Sequence, residues 1–163
     1  MAHTVVRTDM LAGTVNPAFL ENGRYKKSDA YEKIDNGSIV MVGALEDGER
    51  ESHVYSDVPA ATSIDKLVLI AVPEIFKDTS VRKDIRDFEV AAGVVARGYR
   101  LTPGCEFSVT ADGIDGSPTK GAAVGLAANT HKLKVSATDT KIGTITDVEV
   151  KKFMTFYTIK VTE

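Results

Sequence analysis

The stretch Ile142-Gly143-Thr144-Ile145-Thr146-Asp147-Val148-Glu149-Val150-Lys151-Lys152-Phe153-Met154-Thr155-Phe156-Tyr157-Thr158-Ile159-Lys160-Val161 reads as two β-strands and a turn. Ile142, Thr144, Thr146, Val148 and Val150 alternate with Gly143, Ile145, Asp147 and Glu149. Beyond Lys151-Lys152, Phe153, Thr155, Tyr157, Ile159 and Val161 keep the same period. Successive side chains of a strand point to opposite faces, so a period of two predicts a C-terminal hairpin with one face buried.

The writing is the same back to Gly93. Short β-branched runs over Val94 to Leu101, Glu106 to Thr110, Ala122 to Leu126 and Lys132 to Val135 are cut by Thr102-Pro103-Gly104 and by Asp112-Gly113-Ile114-Asp115-Gly116. Gly, Pro and Asp at such places supply turn geometry. Many short strands with frequent turns predict a small β-barrel or β-sandwich rather than an α/β sheet.

Further toward the N-terminus, Leu67-Val68-Leu69-Ile70-Ala71-Val72 is a continuous apolar run ended by Pro73, the pattern of a fully buried strand. Ile39 to Leu45 is a second such run. It follows Ile34-Asp35-Asn36-Gly37-Ser38, where Asn36-Gly37 predicts a tight hairpin turn. Glu46 to Arg50 turns the chain again, and His53-Val54-Tyr55 reads as a short strand. One helix is expected, over residues 76–92: Val81, Ile85, Phe88 and Ala92 fall at helical spacing, Asp78 or Thr79 would cap it, and Gly93 would end it. Residues 1–30 fit neither period and are broken by Gly13, Asn16-Pro17 and Asn22-Gly23, which suggests an extended arm or lead-in. The expected architecture is therefore mostly β, a small β-barrel or β-sandwich with one short helix and an extended N-terminal arm. Residues 1–30 would form the arm and residues 31–163 a single mostly-β domain.

With 163 residues, 43% hydrophobic and 26% charged, the chain is long enough for a real core and too apolar for wholesale disorder. Its net charge of -3 disfavours nucleic-acid binding, which usually shows a basic field. Lys26-Lys27, Arg82-Lys83 with Arg86, and Lys151-Lys152 each have acids nearby and read as mixed-sign surface. The single cysteine, Cys105, excludes an intrachain disulfide. The N-terminus lacks the basic and apolar regions of a signal peptide, and no apolar run approaches the length of a membrane span. A membrane role is not expected.

No catalytic, cofactor or metal residue is predicted. His3, His53 and His131 are far apart in the chain, without the close ligand pairs typical of zinc sites. Cys105 lacks a reactive-thiol signature and reads as a small buried apolar residue. Asp112 and Asp115 lack the twelve-residue calcium-loop pattern, and Thr119-Lys120-Gly121 lacks the spaced glycines of a phosphate loop. Gly93 to Arg100 is similar to the segment of trimeric dUTPases that carries their water-activating aspartate, but Ala96 and Arg97 stand where that residue is needed.

Three segments together resemble the capsid decoration, or cement, proteins encoded in tailed-phage head gene clusters. They are Asn36 to Glu51, Leu67 to Glu74, and Asp84 to Gly93 continued by Arg97-Gly98-Tyr99-Arg100-Leu101-Thr102-Pro103-Gly104-Cys105-Glu106-Phe107-Ser108-Val109. The resemblance implies a virion structural protein that sits on the outside of the head, is assembled in the bacterial cytoplasm, and has no enzymatic activity and no cofactor. The implied partners are the major capsid protein and neighbouring copies of the chain, as in a homotrimer. A terminal arm could add a strand to such a neighbour, which makes Val5, Val6, Arg7, Met10 and Leu11 the candidate partner-binding residues. Alternatives are another virion component of the tail, connector or fibre base, and an OB-like module binding sugar or single-stranded nucleic acid.

Overall fold

The structure, a computed structural model, describes residues 2–76 and 83–162. The thirteen strands among the described residues are β1 (Val6–Arg7), β2 (Leu20–Lys27), β3 (Ala30–Tyr31), β4 (Ile39–Leu45), β5 (Ser52–Ser56), β6 (Leu67–Ile70), β7 (Ala96–Arg100), β8 (Glu106–Thr110), β9 (Ile114–Asp115), β10 (Ala123–Leu126), β11 (Leu133–Val135), β12 (Thr140–Val150) and β13 (Thr155–Val161). The helical content of these residues is limited to single 3-10 turns. The mostly-β expectation holds, and the strands form two sheets.

The first sheet closes on itself. Its order is β3-β2-β5-β4-β6-β7, and β7 returns to pair with β2, so that β2, β5, β4, β6 and β7 form a ring with β3 appended to β2. The β2–β5 pair is parallel; the other pairs of the ring are antiparallel. The second sheet has the order β1-β8-β13-β12-β10-β11-β9 and is antiparallel except between β9 and β11. The chain's first strand thus belongs to the sheet otherwise built from its second half.

β6 shows how the two bodies share one wall. Leu67, Val68, Leu69 and Ile70 are all fully buried. Val68 and Ile70 join Val40, Tyr55 and Ala96 in the core inside the ring. Leu67 and Leu69 point the other way, with Ile39, into a larger core against Phe107, Leu126 and Ile159 of the second sheet. A strand with a core on both faces must be apolar at every position, which accounts for its continuous run. Burying each of these side chains contributes about 1.5–3 kcal/mol.

Turn residues act partly as expected. Gly37, Gly48, Gly104 and Gly116 have positive φ. Asn36-Gly37 does not close a hairpin, however. Ile34 before it bridges to Val90, while Ile39 after it pairs with Leu69. Asn36 is fully buried, and its amide accepts from the Val72 N–H and donates to the Val72 carbonyl, both at 2.8 Å. It thereby continues the ladder beyond the end of β6.

Three further expectations are corrected. Residues 77–82, which carry the expected caps Asp78 and Thr79 and the apolar Val81, lie outside the described residues. Over 83–92 the expected helix is replaced by one 3-10 turn, Ile85–Asp87, capped by Asp84, followed by the bridge of Val90 to Ile34. Pairing and packing of Phe88 and Val90 against the ring core override the helical spacing.

The N-terminal segment is not a free arm. β1 pairs with β8 of the same chain, Val5 and Leu11 are buried, and β2 is a wall of the ring.

The C-terminal hairpin is present, but its alternation breaks. The β12–β13 register shifts between Ile145 and Asp147, and the β10–β12 register shifts between Val124 and Gly125. These bulges bury both Ile142 and Ile145, and they leave Val150 exposed. Phe153 is 72% exposed in the turn.

Candidate functional site: a polar seam between the two sheets

The two bodies meet along a seam where the chain leaves β5. Val58 and Thr130 form an antiparallel bridge: the Val58 N–H donates to the Thr130 carbonyl at 3.0 Å, and the Asn129 N–H donates to the Val58 carbonyl at 2.8 Å. The Ile39 N–H donates to the His131 carbonyl at 2.8 Å, tying the start of β4 to the same loop. These bonds place three side chains together. Tyr25 comes from β2 of the ring, Asp57 follows β5, and His131 precedes β11 of the second sheet.

Oδ1 of Asp57 accepts from the Tyr25 hydroxyl at 2.7 Å and lies 2.7 Å from Nδ1 of His131. An ionised carboxylate only accepts, so the geometry puts the imidazole proton on Nδ1. The Tyr25 and His131 rings meet edge to face, 5.3 Å between centroids. Lys27 approaches the other carboxylate oxygen at 3.9 Å. Burial first, and then the Asp57 acceptor, push the Tyr25 hydroxyl well above its ordinary range. Tyr25 is therefore a hydrogen-bond donor at neutral pH, not an activated nucleophile, for which the pKa would have to fall. An open cleft of about 310 Å³ lies beside the seam. Lys27, Asp57, Asp115, His131, Lys132 and Lys134 are among the residues lining it. Lys132 pairs with Asp115 at 2.8 Å.

A second polar cluster fixes the β4–β5 hairpin to β2. The Glu46 side chain is 5% exposed. It accepts from Arg24 at 2.5 Å, Tyr31 at 2.8 Å and Ser52 at 3.2 Å, with Lys26 at 3.1 Å. Burial pushes its carboxyl upward, but the bonds from Arg24, Tyr31, Lys26 and Ser52 outweigh that and hold it at about 2.

The five residues expected to bind a partner are divided between the interior and the surface. Val5 exchanges hydrogen bonds with Thr110, through its N–H to the Thr110 hydroxyl and its carbonyl to the Thr110 N–H, both at 3.1 Å. Val6 pairs with Val109 and packs against the large core. Leu11 is 1% exposed within that core. Arg7 lies on the outer face, bonded to Glu149 at 2.8 Å and stacked over the Phe156 ring at 5.6 Å. Met10, 64% exposed, joins Arg7 in facing outward.

The histidines are not isolated as their spacing suggested. Each lies against a distant carboxylate: His3 against Asp35 at 2.6 Å, His53 against Glu21 at 3.6 Å, and His131 against Asp57. Cys105 is half-buried, its sulfur 2.8 Å from the Thr102 hydroxyl. Sequence reasoning missed Tyr25, Asp57 and Glu46. The Tyr25–His131 contact spans 106 positions, and no local pattern marks such a meeting.

Comparison with protein-family models, with curated proteins and with solved structures found no match.

Proposed function

We infer that the chain is a structural protein of a tailed-phage virion, a capsid decoration protein that binds the major capsid protein and neighbouring copies of itself on the outside of the head. The observation that carries this reading is the double-faced strand β6, which joins two β bodies into one block through a shared wall. A protein that reinforces a shell needs such stiffness more than it needs a reaction centre. Inward-facing charges support the same reading: buried Glu46 and half-buried Asp57 hold elements of the chain to one another. Met10, Val150 and Phe153 turn apolar side chains outward, as contact residues would. Repetition around symmetry axes lets each such contact be modest, because linked copies bind with avidity. The segment order from Asn36 to Val109 resembles decoration proteins and agrees with this role.

The test is the copy number of the protein in purified particles of its source phage, by quantitative mass spectrometry. A count equal to, or a simple fraction of, the major shell protein supports decoration. A handful of copies would move the protein to the tail, connector or fibre base. Complete absence overturns the virion reading.

The cleft that Lys27, Lys132 and Lys134 help to line favours a second reading, a module for sugar or single-stranded nucleic acid. A closed five-stranded ring is also the size of an OB-type barrel. Retention on a nucleic-acid column that falls steeply with salt would favour it, because phosphate contacts release counterions.

A further inference from the structure

Ile34 and Val90 form an antiparallel bridge, exchanging N–H to carbonyl bonds of 3.1 and 3.0 Å. Asp35 and Glu89 flank it on the same side, where cross-strand neighbours sit within about 4.5–5.5 Å and like charges repel. His3 reaches this pair from the N-terminal segment. One donor atom from each of His3, Asp35 and Glu89 lies within 4.8 Å of the other two. All three side chains are half-buried.

We propose that His3, Asp35 and Glu89 form a binding site for one divalent first-row transition ion of the zinc type, which clips the N-terminal segment to the ring.

The backbone around each donor is held in place. The His3 N–H donates to the Arg86 carbonyl at 2.7 Å, and Thr4 beside it is buried. Asp35 lies between bridged Ile34 and buried Asn36, whose amide is locked onto Val72. Glu89 precedes bridged Val90. Only side-chain rotation is then needed to draw three donors around one ion, and preorganised ligands of this kind lower the cost of binding. One imidazole nitrogen and two carboxylates suit zinc and its neighbours, with water completing the shell. Calcium asks for six to eight oxygens and fits poorly.

Two hydrogen-bonding partners now relieve the carboxylate pair. Nδ1 of His3 lies 2.6 Å from Asp35, and Nζ of Lys33 lies 2.9 Å from Oε2 of Glu89. The ion displaces both interactions: the His3 nitrogen turns from a proton donor into a ligand, and Lys33 gives up Glu89. Lys33 is therefore a competitor of the metal. Because the three donors come from three separate segments, the bound ion closes a loop between the N-terminus and the ring and adds its binding free energy to folding.

The experiment is calorimetric titration of the untagged full-length protein with zinc chloride in a non-coordinating buffer, with thermal unfolding followed in parallel. The expected result is one equivalent bound and a raised Tm. Affinity should fall about tenfold or more in His3→Ala and Glu89→Gln, and it should persist in His53→Ala. Lys33→Ala should tighten binding several-fold, a change that loss of folding cannot imitate. Absence of zinc binding, affinity unchanged in His3→Ala and Glu89→Gln, or weaker binding in Lys33→Ala would each overturn the site.

Discussion

The aromatic ring of Tyr55 fills the space that a side chain at Gly23 would need. A β-carbon on Gly23 would come 2.5 Å from Cε1 of Tyr55 and 2.6 Å from the His53 carbonyl oxygen. Tyr55 is fully buried inside the ring, and the other group crowding Gly23, the His53 carbonyl, is backbone. Gly23→Ala should therefore destabilise the protein by about 1–3 kcal/mol through overpacking. Urea unfolding reads this as a lower midpoint at unchanged slope. An alanine variant as stable as the parent would contradict the packing of the ring interior.

Met10 and Leu11 are neighbours with opposite surroundings, 64% and 1% exposed. Leu11→Ala should cost about 2–5 kcal/mol, because it leaves a cavity between the sheets. Met10→Ala should change stability by less than about 0.5 kcal/mol. Equal effects from the two substitutions would mean that the N-terminal segment does not dock as described. Deleting residues 1–20 should for the same reason weaken the body itself, not only its binding.

If the outward apolar residues contact a shell, Phe153→Ser and Met10→Ser should lower occupancy on heads while leaving the unfolding midpoint within experimental error. Sedimentation of variant protein with heads that lack it measures this directly. Undiminished occupancy in the double variant would exclude these residues from the contact.

Glu46 makes stability depend on acid. Its carboxyl is held at about 2 in the folded protein, against an ordinary value of 4.5. A depressed carboxyl contributes stability that is fully present above the ordinary value and is lost as pH falls from there through about 2. Glu46→Gln should cost on the order of 2 kcal/mol at neutral pH, because Arg24 and Lys26 lose a charged acceptor. It should also flatten the loss of stability between pH 5 and 2. Parallel pH profiles for variant and parent would refute this assignment.

Asp57 is the shared acceptor of the seam. Asp57→Asn should speed hydrogen exchange at the Val58 and Asn129 amides, which bond across it. A cycle of Asp57→Asn with Tyr25→Phe should show a coupling of about 0.5–3 kcal/mol, since the residues touch. Strict additivity would show that the 2.7 Å bond between them adds nothing to stability.

Much of the strand pattern was legible because it is local. Glu106–Thr110 is a strand with the expected bounds, and the runs at Leu67, Ala122 and Lys132 differ from β6, β10 and β11 only at their ends. Where a distant partner intervened, local reading failed. Val90 bridges Ile34 rather than continuing a helix, β1 pairs with β8 about a hundred residues away rather than standing off as an arm, and bulges in β12 turn both Ile142 and Ile145 inward.

By itself, the sequence determined the class of structure, the place of most strands and turns, and the burial of Leu67 to Ile70. Those follow from side-chain period, β-branching and turn residues, whose effects act over a few positions. Only the tertiary structure decided that the first sheet closes into a ring, that β6 carries a core on each face, and that Tyr25, Asp57 and His131 converge. Ring closure and convergence depend on pairings between segments tens of residues apart, and a one-dimensional pattern does not say which segment completes which.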